Sequence, residues 1–138
     1  MEKKKLSTKW KVVIVIGCIL LALILVGVGA MLWITNGLSK YKKMPIGKVD
    51  LSTVKDGTYV GSFNGGRWSN TLSVTVKDHR ITGLKVVKDV QFKLPEKMKL
   101  LFDRVLDAQT LQVDTVTGST VTSKAYLKSI ENALSGTR

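Results

Sequence analysis

Apolar residues follow two unlike patterns along this chain. From Val12 to Ile34 they form one run with no charged residue, interrupted only by glycines. At about 1.5 Å per residue, a helix of that length crosses the roughly 30 Å hydrocarbon core of a bilayer. Trp10 and Trp33 stand near its two ends, where interface anchors belong. Beyond residue 50 the apolar positions recur at short periods instead. Leu72, Val74 and Val76 alternate with Thr71, Ser73 and Thr75, which predicts a half-buried strand over 71–76. Thr58 to Phe63 predicts a strand before it, closed by the turn residues Asn64-Gly65-Gly66. Arg80 to Lys88 predicts a third strand, entered through a hairpin turn at Asp78-His79 and changing phase across Gly83, where a bulge is expected. The three strands together predict an antiparallel meander.

The pattern then turns helical. Pro95 opens a helix, a position where its missing N–H costs nothing. Met98, Leu101, Phe102, Val105 and Leu106 keep the spacing of a core-facing stripe and leave Lys97, Lys99 and Arg104 for a solvated face. Gln112-Val113 predicts a short strand. A last helix is expected from about Ser123 to Leu134, with Leu127, Ile130 and Leu134 on one face and Gly136 as its stop. The fold class expected is α+β: an N-terminal single transmembrane helix followed by a small antiparallel sheet with two packed helices. The expected division is a cytoplasmic tail at 1–11, a transmembrane helix at 12–35, a linker at 36–51 and a domain at 52–138. The linker reading rests on its lysines and on Gly37, Pro45 and Gly47. The domain has room for one modest core.

A net charge of +12 would suggest nucleic acid until it is located. Nine lysines and one acid precede Asp50, so most of the surplus flanks the apolar run. A membrane surface accounts for that placement, and no nucleic acid is expected as a partner. Lys3, Lys4, Lys5, Lys9 and Lys11 lie on one side of the run, and Lys40, Lys42, Lys43 and Lys48 on the other. The balance leans to a cytoplasmic N-terminus by about one lysine. A cleaved leader and a lipoprotein attached at Cys18 are weaker readings, because the apolar run is long and continues past the cysteine. The lone Cys18 supports no disulfide or cysteine metal site, and the lone His79 reads as a solvated turn residue. No metal site is expected.

The stretch with chemistry is Asp114-Thr115-Val116-Thr117-Gly118-Ser119-Thr120-Val121-Thr122-Ser123. Hydroxyls crowd the point where the last helix begins, and a helix start offers unpaired N–H groups and partial positive charge to an anion. The plain alternative is a turn that feeds a helix, with Ser and Thr as ordinary N-caps. The spacing Asp114, Thr117, Gly118, Ser119, Thr120 resembles the flavinylation motif of the FMN-binding domain family. Ser119 stands where that family has alanine. Asp56-Gly57-Thr58-Tyr59-Val60-Gly61-Ser62 resembles its opening strand, so the likeness covers about residues 52–135.

The resemblance implies FMN held covalently through its phosphate to Thr120. It further implies that Gly118 leaves room for the phosphate and that Thr117, Ser119 and Thr122 donate hydrogen bonds to it. Asp114 would orient the loop or aid recognition by the attaching enzyme. Lys124 is a candidate charge partner, and Tyr59 and Trp68 are candidates to stack on the ring. No catalytic residues are expected. A separate flavin transferase would attach FMN using FAD, and the domain would lie outside the cytoplasm of a single-pass cell-membrane protein. The function implied is a tethered electron carrier between a membrane donor and an extracytoplasmic acceptor, rather than a stand-alone catalyst. An accessory subunit of a larger membrane redox complex and a cofactor-free tethered binding module are the alternatives.

Overall fold

The computed structural model describes residues 7–136. In chain order the elements are α1 (Thr8–Thr35), α2 (Leu38–Lys42), β1 (Gly57–Phe63), β2 (Asn70–Lys77), β3 (Arg80–Lys88), α3 (Pro95–Ala108) and α4 (Thr120–Ser135). Single 3-10 turns sit at Leu51–Thr53 and Gly66–Trp68. The chain divides into two compact units between Asn36 and Gly37.

The first unit is α1, whose 28 residues include none that is buried. It is long and apolar enough to cross a membrane. Its apolar side chains surround it on every side, as lipid-facing helices require. Of the lysines expected to flank it, Lys3, Lys4 and Lys5 lie outside the described residues.

The second unit is α+β. Its antiparallel sheet has the order β1-β2-β3, the meander that the alternation predicts. Leu72, Val74 and Val76 of β2 are buried, while Thr71, Ser73 and Thr75 are half-exposed on the other face. β3 bulges twice against β2. Thr75 pairs Gly83 while Val76 pairs Ile81, so Thr82 is the extra residue at the phase change. Val87 is a second extra residue between the Leu72–Val86 and Thr71–Lys88 pairs. α4 crosses the inner face of β1 and β2, and with α3 it closes a core of Leu72, Val74, Leu101, Val105, Tyr126, Leu127 and Ile130.

Three details depart from the sequence reading. Residues 112–113 form no strand; the segment runs without a ladder, and the Gln112 amide instead donates to the carbonyls of Ile46 (2.9 Å) and Gly47 (3.3 Å). α4 begins at Thr120, three residues before the expected Ser123. The run of hydroxyls disguised the start, because only Ser119 occupies the cap position while Thr120, Thr122 and Ser123 are already helical.

The third departure is the stretch expected as a linker. From Gly37 it belongs to the compact domain. Tyr41 meets both Phe63 and Trp68 edge-on, each at 5.5 Å between ring centroids. Ile46 and Val49 pack on the main core. Lys124 Nζ donates to the Met44 carbonyl at 3.0 Å, and the Gly47 N–H donates to Glu131 Oε2 at 3.1 Å. Lysine, proline and glycine gave this segment the look of a spacer. Tyr41, Met44, Ile46 and Val49, two or three residues apart, are the anchors that bind it as a strap.

Candidate functional site

The first turn of α4 is the centre of the site. The chain arrives through Val116 to Ser119, with Gly118 at φ +78°, the left-handed region that a β-carbon disfavours. The Ser119 N–H and hydroxyl both donate to the Val116 carbonyl, at 3.0 and 3.2 Å. Ser123 Oγ accepts from the Val116 N–H at 3.2 Å, which closes the loop from the helix side. Ser119 is therefore turned inward and buried, and no side chain caps the first turn of α4. The N–H groups of that turn have no intrahelical acceptor, and they carry the positive end of the helix dipole.

That turn opens onto a cleft of about 420 Å³, lined by Leu38, Lys42, Arg67, Trp68, Phe92 and residues 118–122. The volume falls within the usual range for small-ligand sites of roughly 300–1,000 Å³. The lining includes two cations and no carboxylate. A third cation lies close by. Lys97 Nζ donates to the Thr117 carbonyl at 3.0 Å, and a Cβ built on Gly118 would lie 2.7 Å from it. The sequence places Lys97 on a solvated helix face, but its flexible stem folds over the turn instead.

The residues anticipated for the site do not all converge. Gly118, Ser119, Thr120 and Thr122 line the cleft together. Among the described residues the hydroxyls of Thr120 and Thr122 make no hydrogen bond. Ser119 is in place, but its hydroxyl is committed to Val116. Thr117 is exposed, and its carbonyl is taken by Lys97. Asp114 is absent from the cleft and lines a separate hollow with Arg104, Asp107 and Gln112. Arg104 Nη1 donates to the Asp114 and Thr115 carbonyls, at 2.8 and 3.2 Å, and so braces the approach to the motif from α3. Lys124 points away to Met44 and serves the strap. Tyr59 packs against the main core with its hydroxyl on the Lys55 carbonyl at 2.7 Å, so it takes no part in the cleft. Trp68 does reach the cleft, though Arg67 covers its ring at 4.2 Å and Tyr41 abuts its edge.

Sequence reasoning missed Leu38, Lys42, Arg67 and Phe92. Phe92 carried a signal: it is the one aromatic residue in the segment between β3 and α3, and it stays 61% exposed. The others became part of the site only through the packing of the strap and of the Gly66–Trp68 turn.

An uncapped helix start, a left-handed glycine beside it and a carboxylate-free cleft with aromatic walls define a domain suited to an anionic ligand with a planar part. The chain belongs to the FMN-binding domain family, whose model matches residues 66–135. The match begins after β1, so the opening strand and the strap lie outside it. A comparison with curated proteins found no match. The residues present fit FMN. The free first-turn N–H groups and the nearby Lys97 and Arg67 suit its phosphate, and Trp68, Phe92 and Leu38 suit its ring.

Proposed function

We propose that the protein is a membrane-anchored, extracytoplasmic flavoprotein that carries FMN as a phosphoester on Thr120 and relays electrons from a membrane donor to an extracytoplasmic acceptor. The observation that carries this reading is the position of Thr120. The last residue of the motif is the first residue of α4, half-buried on the wall of the cleft. Phosphate oxygens on its Oγ would lie at the positive end of the helix, next to the unpaired N–H groups. Gly118 keeps a side chain out of that space, and Lys97 and Arg67 offset the charge.

A threonine hydroxyl is a weak nucleophile without a base, and the side chains lining the cleft supply none. Attachment therefore falls to a separate flavin transferase. Thr120 Oγ would form a bond to the flavin-side phosphorus of FAD, the pyrophosphate P–O bond would break, and AMP would leave while the hydroxyl proton passes to the transferase. FMN supplies the redox chemistry once bound, and the protein supplies position and electrostatics. An apolar helix of membrane-crossing length supports the tether.

The test is intact-mass analysis of the detergent-solubilised full chain, made with and without a flavin transferase and FAD. The expected result is a gain of one FMN less one water that Thr120→Val abolishes. An unmodified mass in the presence of a transferase active on a control substrate would overturn the reading. Labelling that persists in Thr120→Val would overturn the site.

A further inference from the structure

The wall of the cleft opposite α4 comes from a part of the chain that precedes the family match. Leu38 and Lys42, one turn apart on α2, face the same cleft as Thr120. α2 is held there by Tyr41, wedged edge-on between Phe63 and Trp68. Downstream, the strap is tied to α4 through Lys124 and Glu131 and to the segment before the motif through Gln112. These contacts come from three separate parts of the domain, so the position of α2 is specified rather than incidental.

The two side chains differ in a useful way. Leu38 is 39% exposed and offers an apolar surface, while Lys42 offers a cation on a long stem. Trp68, the obvious ring contact, is only 8% exposed, with one face under Arg67. A planar ligand in this cleft must therefore find much of its contact elsewhere, on Phe92 and on the strap. A ring that gains electron density on reduction is stabilised by a nearby cation, because charge close to the ring tunes its electronics.

We propose that the juxtamembrane strap is the second wall of the flavin seat. Leu38 contacts the ring, and the Lys42 ammonium beside it stabilises the reduced form and so raises its reduction potential. This rests on the assignment of FMN to Thr120. It adds that the segment joining the apolar helix to the domain is part of the redox site and sets its properties.

The test uses the full chain in detergent, loaded by a flavin transferase with FAD, as wild type, Lys42→Gln, Leu38→Ala and Lys43→Gln. Mass analysis identifies the FMN-bearing protein, and its flavin emission and midpoint potential are then measured. In Lys42→Gln the reduced form should lose roughly threefold in equilibrium, a fall of about 15 mV for a two-electron couple. In Leu38→Ala the ring loses apolar cover, so its emission maximum should shift toward that of free FMN in water. Lys43→Gln, whose side chain does not line the cleft, should match wild type. Loaded Lys42→Gln and Leu38→Ala proteins with wild-type emission and potential would overturn the proposal while leaving the attachment site standing. Wild-type protein that never gains the mass would remove both.

Discussion

Gly61 of β1 and Ser129 of α4 meet backbone to backbone: a Cβ on Gly61 would lie 2.1 Å from the Ser129 carbonyl oxygen and 2.3 Å from the Ala133 nitrogen. Neither of those atoms can swing aside, because both belong to the helix itself. The contact sets how closely α4 lies on the sheet. Behind it, Ser129 Oγ bonds Asn70 Oδ1 at 2.6 Å, and the Asn70 amide donates to the Trp68 carbonyl at 3.0 Å. One chain of contacts thus runs from the middle of α4 to the cleft wall.

Gly61→Ala should therefore be among the most damaging small substitutions in the domain. Overpacking of a tight core costs about 1–3 kcal/mol, and a clash with helix backbone should reach or exceed the upper end. At about 4–8 °C per kcal/mol, the midpoint of thermal unfolding should fall by more than about 10 °C. Circular dichroism melts of the full chain in detergent would measure this, and a shift below a few degrees would mean that α4 does not sit so close.

The sheet and α3 were legible because each shows a single periodicity. Leu72, Val74 and Val76 can face one way only as a strand, and Met98, Leu101, Phe102 and Val105 only as a helix. The strap was not legible, since Tyr41, Met44, Ile46 and Val49 are too sparse for either period and sit among lysines. Their burial depends on surfaces made by β1, the Gly66–Trp68 turn and α4, which no local pattern encodes. The motif was readable as a motif, but Lys97 and Arg104 were not readable as its supports. Both belong to α3, and only tertiary packing aims them at the Thr117 and Asp114 carbonyls.

Gly118 should show the cost of its backbone angle directly. At φ +78° an alanine is strained by about 1–2 kcal/mol, whereas asparagine tolerates the left-handed region better. The displaced Lys97 is flexible and adds little. Gly118→Ala should lower stability by roughly that amount, and Gly118→Asn by less. Chemical denaturation would rank the two variants, and equal losses would argue against backbone strain as the cause.

Arg104 supports the motif from outside the cleft. Replacing it with glutamine removes a charged donor from two carbonyls, and hydrogen bonds of this kind contribute about 1.5–3 kcal/mol. Arg104 is half-exposed, so a loss near 1 kcal/mol is the expectation. Hydrogen exchange should quicken at residues 115–119 more than in β2. Uniform acceleration across the domain would mean that the arginine supports the whole fold and not this loop.

Tyr126 gives the domain a defined alkaline limit. Its ring lies in the core, and its hydroxyl donates to Asp89 Oδ1 just beyond β3. Burial first, and the bond to the Asp89 carboxylate second, hold the phenol above its ordinary value of 10.0. The folded chain therefore keeps this proton where the unfolded chain releases it. The stability contributed is complete below pH 10 and drains away as pH rises above it. Between pH 10 and 11 the wild type should lose about 1 kcal/mol more than Tyr126→Phe, which has no proton to release. Below pH 9 the variant should be the less stable of the two by about 1 kcal/mol, for the missing hydrogen bond. The gap should then narrow as pH rises, as read by denaturant unfolding at pH 8, 9, 10 and 11. Parallel stability curves across that range would show that the phenol is not held by burial and Asp89 in the folded protein.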